Sequence, residues 1–212
     1  MTNAPAHCPV TAEIRELARV HASRLAAATA QRKHEMLSDD CTHHFMYGAL
    51  GVSPAEGRLI DEYQNVGRFL YKSAGSLMEQ AALMCFKLVA PDAGQLRLPN
   101  ATGSRPKSYQ VDCLLGLDAI ELKWRDATTD GDHVAKEQAK LRTVVAAGYR
   151  PVRLSFFEPS RLQARRIQAS LAALYVELGG LYLAGAPAWE YVKNRTGVDL
   201  WHALTTAQEP VV

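Results

Sequence analysis

Cysteine is scarce in this chain: four in 212 residues, at Cys8, Cys41, Cys85 and Cys113, too widely spaced for a disulfide framework. Two of them fall in stretches that read as core, so reduced thiols and a cytoplasmic location are expected. His7, Cys8, Cys41, His43 and His44 match no standard zinc-finger spacing, which leaves zinc a minor alternative. Charge of one sign is also lacking. Net charge is only +2, so no global polycation announces an anionic partner, and any phosphate binding must come from local Lys and Arg clusters. Long apolar runs are missing, which excludes a membrane-spanning helix. The first residues carry Pro5, His7 and Pro9 rather than a basic region followed by an apolar run, so no signal peptide is expected. No repeat, low-complexity tract or linker interrupts the sequence. What is present is a 48% hydrophobic content, enough for one substantial core with a helical annex.

The N-terminal half reads as helical. Thr11 to Leu37 places Ile14, Leu17, Ala18, Leu25 and Ala28 along one side, with Thr11 as N-cap. Arg15, Arg19, Arg24, Arg32 and Lys33 occupy the other sides, where a solvated face is the simpler reading than a surface for phosphates or a partner subunit. A short helix over His43 to Leu50 ends at Gly51, and Ser53-Pro54-Ala55-Glu56 carries the signature of a helix start. The stretch from about Gln64 to Val89 is apolar nearly all round, which predicts a central buried helix. Glu79 lies within it among small and apolar neighbours. A buried carboxylate needs a cation, a donor or a metal-bound water, or else it reaches Lys72 or solvent. Ala90 to Lys107 is expected as a loop, with Arg97, Arg105 and Lys107 making it basic.

The most informative stretch is Tyr109 to His133. Two short strands joined at Gly116 would place Asp112 on the first and Glu121-Leu122-Lys123 on the second. Alternation puts Glu121 and Lys123 on one face, and in a paired hairpin Asp112 can lie beside Glu121. Carboxylates held that close repel unless a hard cation separates them, which suits Mg2+ and its oxygen ligands. Asp112 and Glu121 would hold the metal with the Leu122 carbonyl as third ligand, and Glu79 would bind through a metal water or a second ion. Lys123 would lower the pKa of a nucleophilic water or stabilise phosphoryl oxygens, as phosphodiester hydrolysis requires. Asp118, on the opposite face from Glu121, is not expected to be a ligand. A helix to Ala147, capped by Asp130 or Asp132, then crosses to a parallel strand over Val152 to Phe157. Pro159 opens a further helix ending at Gly179-Gly180, and two short helices carrying Trp189 and Trp201 as core close the chain.

Asp112 followed by Glu121-Leu122-Lys123, in strand-strand-helix-strand order, resembles the PD-(D/E)XK nuclease superfamily. The longer string AIELKWRDATTDGDHVAKEQAKLR, Ala119 to Arg142, resembles type II restriction endonucleases of the ApaLI-like family. Val111 stands where the superfamily's name has proline. The resemblance implies an α/β fold with a restriction-endonuclease-like mixed sheet flanked by helices and a mainly helical N-terminal half. It implies one domain over residues 1–212: a helical part to 63, a catalytic core over 64–158 and C-terminal helices over 159–212. It further implies Mg2+-dependent hydrolysis of both strands of a palindromic double-stranded DNA site, leaving 5'-phosphates. The enzyme would be a homodimer, with a cognate DNA methyltransferase sharing the site in a restriction-modification system. Asp112 and Glu121 become metal ligands, Lys123 the catalytic lysine and Glu79 the acid of the preceding core helix.

Base edges are read by polar side chains while phosphate contacts position the protein. Candidates for DNA contact are Arg125, Asp126, Thr128, Thr129, Asp130 and His133 after the catalytic strand, Lys136 and Lys140 on the next helix, and Arg105 and Lys107 before the hairpin. Thr128, Thr129 and Asp130 also suit a turn and a helix cap. Three other readings compete. They are a structure-specific endonuclease of junction-resolvase or repair type, a non-catalytic DNA-binding protein, and a zinc-dependent regulator built on His43 and His44. The long N-terminal helix and the helix over Pro159 to Leu178 are the candidate dimer surfaces.

Overall fold

The computed structural model describes residues 9–100, 105–125 and 132–208. The order is α1 (Pro9–Met36), α2 (His44–Ala49), α3 (Pro54–Val89), β1 (Gly94–Pro99), β2 (Ser108–Leu115), β3 (Asp118–Arg125), α4 (Asp132–Ala146), β4 (Arg150–Phe157), α5 (Leu162–Glu177), β5 (Leu181–Ala184), α6 (Ala186–Thr196) and α7 (Leu200–Thr205), closed by a 3-10 turn at Thr206–Gln208. The described residues form two compact units, one of Glu16–Leu77 and the other of those up to Arg15 with those from Met78 onward. Among the described residues no helix is long and apolar enough to cross a membrane.

In the helical unit the start of α3 is fixed as its sequence predicts. The Ser53 N–H donates to Glu56 Oε2 at 2.9 Å and the Glu56 N–H to Ser53 Oγ at 3.3 Å, a reciprocal capping box. The helix then runs without the expected break before Gln64, because nothing between Gly57 and Gln64 interrupts the backbone hydrogen bonding. Nor is its first part buried all round. Leu59, Ile60, Tyr63, Leu70 and Tyr71 are exposed, whereas Met78, Ala81, Ala82, Cys85 and Phe86, in the other unit, are buried. Helix α1 starts at Pro9, so Thr11 lies inside it instead of capping it; proline suits a first turn, whose N–H groups have no helical partner. The basic side chains of α1 are largely committed: Arg19 pairs with Glu16, Arg32 with Glu35 and Asp39, and Lys33 with Glu62.

The other unit is built on a five-stranded mixed sheet in the order β1-β2-β3-β4-β5. β1, β2 and β3 pair antiparallel, while β3, β4 and β5 pair parallel through the α4 and α5 crossovers. Two strands depart from the sequence reading. The segment expected as loop contains β1, whose Leu96 and Leu98 turn inward between exposed Gln95, Arg97 and Pro99. Proline and flanking glycine mark it as an edge strand, where a missing N–H is tolerated. β5 is four residues between Gly180 and Gly185, too short for an alternating pattern to declare itself. Gly180 is required there, since an added Cβ would lie 2.3 Å from the Pro151 carbonyl oxygen. Helix α5 begins at Leu162, three residues after the expected Pro159. Trp189 packs on Phe156 and donates its indole N–H to the Phe156 carbonyl at 2.9 Å, but Trp201, expected as core, is 48% exposed.

Alternation sorts the side chains of β3 and β4 between two helical layers. Glu121 and Arg153 face α4, and Asp118 and Phe156 face α6. Asp118 is buried and accepts from Arg150 Nε at 2.7 Å, Arg150 Nη2 at 2.9 Å and the Tyr191 hydroxyl at 3.0 Å, tying β3 to β4 and α6. Its carboxylate is thus occupied by the fold. Asp118→Asn is expected to lower stability in urea denaturation by about 2 kcal/mol, the usual range for hydrogen bonds to a charged group.

Candidate active site

The β2–β3 hairpin turns at Gly116, whose positive φ of 60° favours a residue without Cβ. Its ladder runs from Leu115↔Asp118 through Cys113↔Ile120. At the next position a side chain replaces the backbone: the Leu122 N–H donates to Asp112 Oδ2 at 2.9 Å. That bond brings Asp112 up to Glu121 and Lys123, as alternation along the two strands predicts. Lys123 Nζ lies 2.5 Å from Glu121 Oε1 and 3.5 Å from Asp112 Oδ2. The other oxygen of Glu121 takes an ion pair from Lys140 of α4. Glu79, half-buried on α3, lies within the electrostatic reach of all four of these side chains.

The charges are unequal in their comfort. Burial pushes the Glu121 carboxyl up, but Lys123 and Lys140 together outweigh it and hold it at about 2. Burial, with Glu121 beside it, raises Asp112 above the ordinary carboxylate value. Burial and the Asp112 charge raise Glu79 in the same way. Burial opposes the charge on Lys123, yet Glu121 and Asp112 prevail and its pKa rises, so the ammonium stays charged. Three carboxylates therefore share two ammonium groups, and Asp112 and Glu79 are the ones left short of positive charge.

A buried layer supports Glu121 from below. Arg153, opposite Glu121 in the β3–β4 register, donates from Nη1 to Glu137 Oε1 at 3.1 Å, and the Tyr175 hydroxyl donates to the same oxygen at 2.7 Å. Arg153, Glu137 and Tyr175 are all buried, joining β4, α4 and α5. None of the three was singled out in the sequence. The available signal was Arg153, a charge inside the otherwise apolar β4.

The remaining expected site residues divide by position. Arg125 is exposed at the end of β3, and Arg105 and Lys107 are exposed just before β2. Antiparallel pairing brings the start of β2 and the end of β3 to the same end of the sheet, so these three cations share it. Lys136 is exposed on α4, one turn before Lys140. Lys140, expected to touch DNA, pairs with Glu121. Asp126, Thr128, Thr129 and Asp130 lie outside the described residues, as does the side chain of His133.

The donor set at the cluster is carboxylate oxygen from Asp112, Glu121 and Glu79, with the Leu122 carbonyl adjacent in sequence. No imidazole or thiolate takes part in the contacts above. Oxygen donors with a deficit of positive charge fit a hard divalent cation such as Mg2+.

Two outcomes are expected. Glu121 is depressed in the folded chain from an ordinary value of 4.5, so its ion pairs stabilise the fold above that pH and are lost as pH falls toward about 2. Lys140→Met removes one pair. In metal-free urea titrations the variant is expected to be least stable relative to wild type near neutral pH, the gap closing as pH falls through that window. Arg153→Ala strands Glu137 in the interior and is expected to cost about 3–5 kcal/mol, while Arg153→Lys recovers part of it.

The family model for ApaLI-like restriction endonucleases matches residues 1–209, nearly the whole chain. No curated protein and no solved structure matches the chain. The five-stranded mixed sheet, its flanking helices and the helical N-terminal half agree with that assignment. The chain belongs to the ApaLI-like restriction endonuclease family.

Proposed function

We propose that the chain is a type II restriction endonuclease that hydrolyses both strands of a palindromic double-stranded DNA site. The observation that carries this reading is the convergence of Asp112, Glu121 and Lys123 at one sheet position, with Glu79 of α3 near enough to feel their charges and with Asp112 and Glu79 short of positive charge. Asp112 and Glu121 would hold Mg2+, with the Leu122 carbonyl as a further ligand and Glu79 reaching it through water or a second ion. When bound, the cation supplies a Lewis acid and a water of lowered pKa. Everything else falls to the chain's own side chains.

Lys123 Nζ, anchored on Glu121 Oε1, presents an ammonium to the phosphoryl oxygens as charge builds on them. Lys140 holds the second oxygen of Glu121 and so fixes the direction of its carboxylate. Attack of the water oxygen on phosphorus breaks the bond to the 3' oxygen, which takes up a proton. The products are a 5'-phosphate and a 3'-hydroxyl. Arg105, Lys107 and Arg125 share the end of the sheet with one another and can neutralise backbone phosphates there, while Lys136 serves α4. Asp126, Thr128, Thr129, Asp130 and His133 remain the candidates for contacts to base edges in the major groove.

A twofold DNA site calls for a twofold protein. The exposed apolar side chains of the helical unit, among them Phe45, Met46, Leu59, Ile60 and Tyr63, favour a homodimer, since soluble monomers seldom leave so many uncovered. Action in the cytoplasm, beside a methyltransferase that modifies the same site, completes the reading as one half of a restriction-modification system.

Phage DNA of known sequence, digested with Mg2+, is expected to give discrete fragments whose ends define one palindrome and carry 5'-phosphates. Asp112→Asn should slow cleavage by about a thousandfold or more, the loss of several kcal/mol of metal-assisted stabilisation. A smear, or cutting confined to branched DNA, would point to a structure-specific nuclease instead. Intact DNA with binding retained would remove catalysis from the reading.

A further inference from the structure

The helical unit contains a second group of metal-ligating side chains that the proposed cleavage reaction does not use. His43 precedes α2, His44 opens it, and Asp61 lies on α3. His44 Nε2 lies 2.8 Å and His43 Nε2 3.0 Å from the same atom, Asp61 Oδ2. One ligand atom from each residue falls within 4.8 Å of the other two. Tyr47 closes the set by donating its hydroxyl to Asp61 Oδ1 at 2.9 Å.

Helical geometry does not bring two neighbouring rings together by default. His43 has helical backbone angles, φ −62° and ψ −16°, and adjacent helical residues point about 100° apart. The rings nevertheless lie edge to face with centroids 4.6 Å apart and both Nε2 atoms aimed at one carboxylate oxygen. The surroundings are shaped to hold them so. His44 stacks on Tyr47 at 5.1 Å, and the pair rests on Gly57 of α3, where an added Cβ would lie 2.9 Å from the Tyr47 ring and 3.4 Å from His44 Nδ1. The group also opens into a cleft of about 460 Å³, so an ion could enter.

We propose that His43, His44 and Asp61 bind one first-row transition-metal ion of the Zn2+ or Co2+ kind. The donors distinguish this site from the carboxylate cluster on β2 and β3. Two imidazole nitrogens and one carboxylate oxygen suit borderline ions, whereas an all-oxygen set suits Mg2+. Three protein ligands leave a coordination position open toward the cleft. The ion would pin the beginning of α2 to α3 and so stiffen the segment between α1 and α3. Its role is to hold that part of the helical unit in place, and the chemistry at Asp112 and Glu121 does not run through it.

The test uses the untagged full-length chain, stripped of metal and titrated with Co2+. About one equivalent is expected to develop the visible absorption of low-symmetry cobalt, and Zn2+ should displace it stoichiometrically. Zn2+ should also raise the melting temperature by several degrees. Both effects should persist in Glu121→Ala, which disables the carboxylate cluster, and vanish in His43→Gln. His43 is the more exposed of the two histidines, with 53% of its side chain accessible, so its replacement spares the packing; His44→Gln is the second variant. Circular dichroism checks that each variant is folded. Absence of the cobalt spectrum in the wild-type chain would overturn the proposal and leave a hydrogen-bonded His-Asp-Tyr cluster. Persistence of the spectrum in folded His43→Gln and His44→Gln would overturn it equally.

Discussion

The cost of keeping Glu121 ionised inside the sheet governs the organisation of this site. A carboxylate buried to this degree survives as an anion only if cations are brought to it. The chain brings two, by different routes. Lys123 arrives through strand alternation, two residues further along β3, and Lys140 arrives through the packing of α4 across the sheet. The α4 crossover therefore does more than connect two parallel strands, since one of its side chains neutralises the centre of the first. Arg153 and Glu137 lie beneath the same region, so the polar groups of β3, β4 and α4 form one continuous buried layer.

The layer is balanced for Glu121 and not for its neighbours. Asp112 keeps one backbone donor and a more distant ammonium, and Glu79 shares the same two ammonium groups. Burial and mutual repulsion raise both, so each would gain from an added divalent cation. A divalent cation among these carboxylates would relieve that charge. Meanwhile Asp118, three residues before Glu121, is satisfied by Arg150 and Tyr191 on the other face. An odd spacing of three residues puts the acid that serves the fold and the acid proposed to serve chemistry on opposite faces of β3.

Much of this was legible in the sequence because strand periodicity is short and strict. Asp112, Glu121 and Lys123 could be brought to one place from spacing alone, and Glu79 stood out as an acid in an apolar helix. The capping box at Ser53 was legible for a similar local reason. What escaped depended on long-range contact. β5 has four residues between glycines, and β1 is framed by glycine and proline, so neither offers a pattern that outweighs its punctuation. The exposure of Leu59, Ile60 and Tyr63 on α3 was hidden because composition says which residues are apolar but not whether anything covers them. Lys140 was recognised as a cation near the site, yet its attachment to Glu121 depends on how α4 lies on the sheet. Asp61 escaped altogether: nothing in its helix marks it, and its meaning comes from two histidines 17 and 18 residues earlier.

The central claim is that Asp112 and Glu121 form a cation site that acts on DNA. Mn2+ binding to the full-length protein with duplex DNA present, followed by the loss of the free-ion electron paramagnetic resonance signal, tests it most directly. The wild-type complex is expected to take up at least one more equivalent of Mn2+ than Glu121→Gln, even though the variant still binds the duplex. Equal uptake by both proteins would contradict it and place the cation elsewhere.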